Sequence, residues 1–453
     1  MTRAWWAYLV VVAVVSLGYA AGPEPLSSGP VFNLLGLSAV LAIVIGARMH
    51  RPRRAVAWHW LAAGQALFVA GDVLAYNYEA LFGRPLPFPS AAEPFYLAVY
   101  PALVCGLFVL VRARGGRGDR AGLIDALIVS AGVATVSWVT LMAPYAHDAS
   151  QPVAARVISI AYPLGDLLVL NMLVRLAIDR ERRTPSHHLL LCAIGALLVT
   201  DSVYTWRLVH GGYDPGQWLD LGWVAFYALL GASALHPSMR QLSEPTLVVE
   251  RRLSRPRLPL LASAALLAPG LLAVRAMLGF QSDALVGAAA SAILFSLVVL
   301  RMAGIVRGHE EAVQREAALR RSGEDLVRSA GRSAVAAAAV RSGAALAPPG
   351  AIVRLHMSDE GEEALPALAA SDLLPSGIPP LQLDALAATD AARLLRGGAV
   401  TVEAPAAGLP AGTAIVPLIV RGRPRGALVT IPPRSSRWPR SPRRSRSPWR
   451  APS

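Results

Sequence analysis

The chain contains no lysine, and arginine supplies all 43 of its basic side chains, against 29 aspartate and glutamate residues. Charged residues of any kind are scarce, 16% of 453 residues, where about 25% is usual in soluble domains. With 54% hydrophobic residues and a mean hydropathy of +0.46, this composition excludes a soluble enzyme folded around one core. The apolar excess lies before residue 304, and the remaining third has ordinary polarity.

Cysteines and catalytic motifs are also scarce. Cys105 and Cys192 both lie in apolar runs, which predicts two buried thiols and excludes a disulfide framework or a CxxC metal site. The sequence has no phosphate-binding P-loop, histidine-kinase core, zinc-binding HExxH pair or nucleophile elbow. We therefore expect no enzymatic activity, no cofactor and no bound metal.

The apolar residues are grouped in runs long enough to cross a bilayer, which requires about 20 helical residues. Ten such runs predict an all-α, polytopic membrane bundle of about ten transmembrane helices. Trp5 and Trp6 in the first run favour an interfacial anchor over a cleaved signal peptide. The predicted spans are roughly 5 to 21, 31 to 47, 56 to 79, 93 to 112, 122 to 145, 156 to 178, 187 to 209, 218 to 236, 257 to 279 and 283 to 303.

The arginines between the spans predict the orientation, because cytoplasmic loops retain positive residues. Alternate loops carry three to five arginines each, whereas the intervening loops carry little beyond Arg84. Both termini are therefore predicted to lie in the cytoplasm, with the protein in the inner (plasma) membrane. The arginines are Arg48, Arg51, Arg53 and Arg54; Arg112, Arg114, Arg117 and Arg120; Arg180, Arg182 and Arg183; and Arg240, Arg251, Arg252, Arg255 and Arg257.

Two stretches of the bundle resemble each other. His59 precedes Asp72 by thirteen positions, and His188 precedes Asp201 by the same interval. An acidic residue then opens the next span in each case, Glu93 before Tyr96 and Asp220 before Trp223. This spacing favours a duplicated four-helix unit, spans three to six and seven to ten.

Ionisable side chains inside a bilayer are costly and often mark function. Asp72, Asp166 and Asp201 lie well inside spans, and further charged groups lie near the outer ends. One interpretation is a polar site that binds a cation or small ligand or relays protons; the other is hydrogen bonding that fixes helix packing. The candidate site residues are Asp72, Asp166, Asp201, Glu93, Asp220, Arg207 and Arg275.

The paired histidines allow a second, weaker hypothesis. His59 and His188 lie at matching depth and could together ligate a haem or a metal between helices. Histidine is, however, common at span ends, so an interfacial role is the stronger interpretation.

Beyond residue 304 the pattern changes. Residues 305–345 are rich in Ala, Glu and Arg and predict a linker or signalling helix, with partial heptad spacing that would allow a homodimer through this helix. Residues 346–433 predict a small α+β module: a strand from Ala351, a helix around Leu383 to Leu395, a strand from Ala399, and a hairpin from Ala414 to Ile431.

The last segment, 434–453, contains seven arginines among Ser and Pro and no acidic residue, which predicts disorder. Anionic lipid is the preferred partner of such a tail, and nucleic acid the less favoured one. Its abrupt composition also allows an out-of-frame translation.

Several runs taken together are similar to one family: GDVLAYNY (71–78), PSAAEPFYLAVYP (89–101), DRAGLIDALIV (119–129), SIAYPLGDLLVL (159–170) and ALHPSMRQL (234–242). They resemble the multi-span N-terminal region of actinobacterial signalling proteins that carry diguanylate cyclase and cyclic-di-GMP phosphodiesterase domains. The resemblance covers residues 1–304, and AIVPLIVRGRPRGALVTI is similar to the closing strands of a GAF-type sensory domain. The GGDEF and EAL signatures of the family's enzymes are absent here.

These observations predict a membrane sensor built like the input half of a cyclic-di-GMP regulator, whose partners are the lipid bilayer and a small extracytoplasmic or intramembrane ligand. The alternatives are a secondary transporter of an ion or small solute and a truncated, non-functional remnant.

Overall fold

The computed structural model divides the chain into two compact units, Met1–Gly304 and Ile305–Ser453. The predicted tail, 434–453, lies outside the described residues. The structure describes residues 4–21, 28–114, 120–178, 184–212, 218–244, 257–277, 284–328, 331–348, 350–357, 364–372, 380–382, 385–386, 388–395, 397–402, 405–406, 409–420 and 423–433.

The first unit is helical throughout its described parts. A π-helical turn, Trp138–Met142, joins α6 to α7, and a 3-10 helix, Pro237–Ser243, follows α10. The helices are α1 (Ala4–Ala21), α2 (Ser28–His50), α3 (Ala55–Tyr76), α4 (Tyr78–Phe82), α5 (Glu93–Arg114), α6 (Arg120–Ser137), α7 (Ala143–His147), α8 (Val153–Ile178), α9 (Pro185–His210), α10 (Asp220–Leu235), α11 (Arg257–Met277) and α12 (Ala284–Arg328).

Six of the described helical segments are long and apolar enough to cross a membrane: Gly29–His50, Glu93–Ala113, Arg120–His147, Val153–Ile178, Pro185–His210 and Leu285–Asp325. Ala4–Gly18, Asp220–Leu235 and Leu261–Leu271 are apolar but shorter. The predicted class, a membrane-type helix bundle with a small sheet, is confirmed, and six of the ten predicted spans satisfy the length and composition required.

The largest core of the first unit lies among α2, α3, α5, α8, α9 and α10. Its biggest fully buried side chains include Trp58, Tyr227, Phe32 and Phe226. The prediction of two buried thiols is wrong, because Cys105 is only half-buried and Cys192 is exposed. Lipid-facing surfaces are as apolar as a core, so an apolar run does not reveal which of its faces points inward.

A second, smaller cluster joins α6, α11 and α12 through Ile128, Ala264 and Leu294. Beyond this contact α12 is the most exposed span, with Leu285 88% and Phe295 71% exposed. Residue 304, at which the two units divide, lies inside α12, so one uninterrupted helix contains both a span and the following hydrophilic segment.

The second unit contains α13 (Arg332–Leu346) and α14 (Ala388–Leu395). A five-stranded antiparallel sheet has the order β3-β1-β7-β6-β5, and β2 pairs separately with β4. The strands are β1 (Ile352–Met357), β2 (Ala364–Leu365), β3 (Ala367–Ala370), β4 (Leu381–Gln382), β5 (Val400–Thr401), β6 (Ala414–Val420) and β7 (Arg423–Ile431).

The segment predicted as one linker helix, 305–345, is two helices in the structure. Gly331, with φ of 93°, precedes α13, and buried Ala336 and Val340 pack α13 on Leu355 and Ala369 of the sheet. The end of the predicted linker is thus part of the folded module. The predicted hairpin forms as β6 and β7, while its turn residues Arg421 and Gly422 lie outside the described residues.

Candidate functional site

Asp72 is held by two tyrosines from different helices. Its carboxylate, 4% exposed on α3, accepts hydrogen bonds from the hydroxyls of Tyr96 on α5 (2.9 Å) and Tyr227 on α10 (3.1 Å). Phe68 packs edge-on against both tyrosine rings. Both carboxylate oxygens have a donor, so this acid joins three helices.

Asp201 occupies the corresponding position on α9. Its Oδ1 accepts a 2.7 Å hydrogen bond from the indole Nε1 of Trp223 on α10. Tyr96 and Trp223 each lie three positions after the acid that opens their helix, so the echo in the sequence corresponds to a shared contact: an aromatic donor on the next long helix bonds the intramembrane aspartate. Beyond this shared contact, the surroundings of the two aspartates differ.

The carboxyl group of Asp201 is adjacent to a second one, that of Asp166 on α8, with the Tyr100 hydroxyl beside it. Asp166 is 9% exposed, and its buried Oδ1 has no hydrogen-bond partner among the described residues. No arginine of the described part of the chain pairs with either carboxyl group. We call Asp166 and Asp201 the acid pair.

Glu93 closes the neighbouring part of the site. Buried in the first turn of α5, it accepts hydrogen bonds from the Tyr162 hydroxyl of α8 and, at 3.3 Å, from the Ser90 hydroxyl. Tyr162 in turn packs edge-on against Tyr100. Glu93 and the acid pair therefore share one group of tyrosines.

The remaining predicted site residues lie apart from these contacts or outside the described residues. Asp220 is fully buried in the first turn of α10 and interacts electrostatically with Asp72. Arg207 lies over the Trp218 ring, 5.9 Å from its centroid. The Arg275 side chain lies outside the described residues, so its predicted role as a partner of the acids stays a prediction.

Two glycines allow the tyrosines to approach. A Cβ at Gly71 would lie 2.6 Å from the Tyr96 ring, and a Cβ at Gly165 would overlap the Tyr100 ring. Each glycine lies one residue before a site aspartate, Asp72 or Asp166. The absence of a side chain at these two points is what lets α5 come close to α3 and α8.

His59 and His188 do not meet in the core of the bundle, since both side chains are exposed on their helices. Among the described residues no group of three or more His, Cys, Asp or Glu side chains could hold a metal ion. The exposed positions do not support the hypothesis of a haem or metal ligated between packed helices.

One buried ion pair was not predicted from the sequence. Arg301 on α12 binds Asp125 on α6 through two contacts, Nε to Oδ1 at 2.5 Å and Nη2 to Oδ2 at 3.3 Å. Asp125 lies in the quoted run DRAGLIDALIV, close to an arginine-rich loop, where an acidic residue is unremarkable. The 176 positions between the partners leave no local pattern from which the pair could be predicted.

Comparison with protein-family models, with curated proteins and with solved structures found no match to this chain. The function of the chain must therefore be argued from the geometry of the candidate site. Two adjacent carboxyl groups surrounded by tyrosines are chemically suited to bind a proton or a small cation.

Proposed function

We propose that this chain is a multi-pass membrane sensor whose stimulus is positive charge, in the first place a proton, taken up by the acid pair. The observation that carries the proposal is the adjacent placement of Asp166 and Asp201 with the partnerless Oδ1 of Asp166 among the described residues. Two neighbouring carboxylates in a medium of low dielectric constant repel each other when both are ionised, so a proton or small cation that binds between them relieves this repulsion.

The surroundings support uptake of charge over permanent neutralisation. The nearest described groups are hydroxyls and an indole, and no basic side chain among them neutralises the pair. The groups that face the pair are Tyr100 of α5, Tyr162 of α8, Tyr204 of α9 and Trp223 of α10.

The exit helix α12 supports a signalling role. It continues for 24 residues past residue 304, so a change in the bundle that moves the helix also moves its hydrophilic part. Such a change is a shift between two packings that bind the stimulus unequally. In our proposal this corresponds to the input half of the cyclic-di-GMP signalling proteins that residues 1–304 resemble, followed by a GAF-like module; the GGDEF and EAL signatures do not occur in the sequence.

The proposal includes the finer topology. The shorter apolar helices and α3 complete ten spans, and both termini lie on the cytoplasmic side of the inner membrane, as the arginine-bearing loops predict. The exposed face of α12 beyond residue 304 would allow a homodimer.

Infrared difference spectroscopy of the full-length protein in lipid nanodiscs tests the site. Titration across the acidic range is expected to change the carbonyl band of a protonated buried carboxyl group, and Asp166→Asn and Asp201→Asn should each remove that change. Glu324→Gln, on the exposed part of α12, is the matched control and should leave the band intact. An unchanged band in both aspartate variants would refute the proposal.

Secondary transport is the second candidate, favoured by the recurring contact of an intramembrane aspartate with an aromatic donor in two related helix pairs. Transport predicts that a proton gradient drives solute or ion flux into proteoliposomes containing the wild-type protein, and that Asp201→Asn abolishes it. Such flux would replace the sensor assignment.

A further inference from the structure

We infer that the ion pair between Asp125 and Arg301 is the point at which the state of the acid pair reaches the exit helix. The inference rests on the proposed function and adds to it a route within the bundle. It concerns two residues outside the candidate site, neither of which the sequence analysis singled out as a site residue.

The pair is built to hold one geometry. Asp125 is 1% exposed and Arg301 12% exposed, and the guanidinium meets the carboxylate through two nitrogen-oxygen contacts. A two-point contact of this kind fixes orientation as well as distance. Because either charge would be left buried and unpaired without the other, the pair favours a single packing of α12 against α6.

The position of the ion pair on α12 allows it to hold the helix close to the end of the first unit. Arg301 lies 17 residues after the start of the helix, about 26 Å along its axis, which is close to the thickness of a hydrocarbon core. Three residues later the first unit ends. The pair therefore holds α12 where the helix leaves the bundle.

Little else holds this part of α12. In the cluster with α6 and α11, Leu294 is buried and Leu297 and Val298 are partly buried. Leu300 and Met302, on either side of Arg301, are 57% and 53% exposed. A change in the Asp125 contact is thus not opposed by a large apolar interface.

A second polar contact links α6 to α8, the helix that carries Asp166. Asn171 on α8 donates a 3.3 Å hydrogen bond from Nδ2 to the Ser130 hydroxyl on α6. Asn171 lies five residues after Asp166, and Ser130 five residues after Asp125, or about 7.5 Å along each helix. One polar contact therefore joins α8 to α6 and another joins α6 to α12, and within α8 and within α6 only the helix itself connects the contacting residues.

Contacts between neighbouring helices do not by themselves establish that the acid pair is coupled to the ion pair; the coupling must be measured. The test uses the full-length protein in nanodiscs, with Cys105 and Cys192 replaced by alanine and spin labels at two pairs of exposed positions. Leu168 and Val199 report on α8 and α9 beside the acid pair, and Leu123 and Met302 report on α6 and α12 beside the ion pair. Pulsed dipolar spectroscopy measures both distances at neutral and acidic pH.

In the wild-type background both distances are expected to shift on acidification by about 1–2 Å, the size of helix shifts in switching proteins. In Ser130→Ala the distance from α8 to α9 should still shift, and the distance from α6 to α12 should not. In Asp125→Asn the distribution between α6 and α12 should be broadened at every pH. Glu324→Gln, which removes the exposed pair of Glu324 with Arg320 on the same helix, should behave as the wild type.

The outcomes separate the two proposals. A distance from α8 to α9 that never shifts contradicts the proposed function. A narrow distribution between α6 and α12 in Asp125→Asn, or a shift there that survives both Ser130→Ala and Asp125→Asn, refutes the inference about the ion pair whatever the acid pair does.

Discussion

Asp72 on α3 and Asp201 on α9 lie at the same interval after a histidine, and each accepts a hydrogen bond from an aromatic side chain of the next long helix, yet their surroundings differ. Asp72 has a tyrosine hydroxyl at each carboxylate oxygen and a closed shell of rings. Asp201 has an indole donor on one oxygen and the carboxyl group of Asp166 as its neighbour. The same position thus serves packing in one helix pair and, in our proposal, charge uptake in the other.

The difference is explained by α8. This helix contributes Asp166 beside Asp201 and Tyr162 to Glu93, whereas the third helix at Asp72 is α10, which contributes the hydroxyl of Tyr227. A donor at each oxygen completes the hydrogen bonding of Asp72, whereas in the acid pair Oδ1 of Asp166 has no partner among the described residues. Both interpretations raised by the intramembrane acids, structural and functional, therefore have a place in one bundle.

The largest effect is expected at the structural aspartate. Asp72→Ala leaves the Tyr96 and Tyr227 hydroxyls buried without an acceptor, and each such group costs about 1–3 kcal/mol. We expect the free energy of unfolding, measured by SDS titration in mixed micelles, to fall by the sum of the two. Asp72→Asn keeps one acceptor oxygen and should lose much less; equal losses in the two variants would show that the tyrosine bonds do not stabilise the bundle.

Part of the difference between Asp72 and Asp201 can be predicted from the sequence. Charge inside an apolar run is enough to find Asp72, Asp166 and Asp201, and the echoed spacing places Tyr96 and Trp223 in corresponding positions. It cannot predict that Asp166 joins Asp201 and not Asp72, because the choice depends on where α8 packs, which no local pattern encodes. The same limit applies to Arg301 and to α13, whose alanine-rich sequence indicates a helix without indicating the sheet on which it packs.

The glycines that precede the aspartates provide the next test. Gly165→Ala inserts a methyl group into the Tyr100 ring beside the acid pair, and Gly71→Ala does the same to Tyr96 beside Asp72. Overpacking of this kind costs about 1–3 kcal/mol, again measured by SDS titration.

Gly195 on α9 is the control, since nothing lies within 4 Å of the position that an alanine methyl group would occupy there, and alanine has the better helix propensity. Gly195→Ala should be neutral or slightly stabilising. If Gly165→Ala also left the free energy of unfolding unchanged, α5 and α8 would not approach each other at the acid pair as closely as the structure shows.

Removal of a single hydrogen-bond donor should lower the stability by a smaller amount. The two donors should also differ in their effect on the infrared band of the acid pair. Trp223→Phe and Tyr96→Phe each delete one hydrogen bond to an aspartate, for about 0.5–1.5 kcal/mol of stability. Trp223→Phe is also expected to move the infrared carboxyl band of the acid pair, because the indole bonds one of its members, whereas Tyr96→Phe should leave that band unchanged. A band that responds equally to both variants would mean that the two aspartates are not distinct in function.

The smallest effect concerns a titratable group in the other unit, whose response to pH must be separated from that of the acid pair. Burial lowers the pKa of His356 on β1 below its ordinary value of about 6.5, and its Nδ1 lies 3.0 Å from the Leu365 carbonyl oxygen. The folded unit therefore keeps this imidazole neutral, while the unfolded chain binds a proton below about pH 6.5. Its contribution to stability is complete above that pH and is lost as the pH falls toward the lowered pKa. After correction for the intrinsic rate, which falls on acidification, the β1 and β7 amides of the full-length protein should lose protection from hydrogen exchange as the pH falls. His356→Asn should remove this loss while leaving the carboxyl band of the acid pair unaltered.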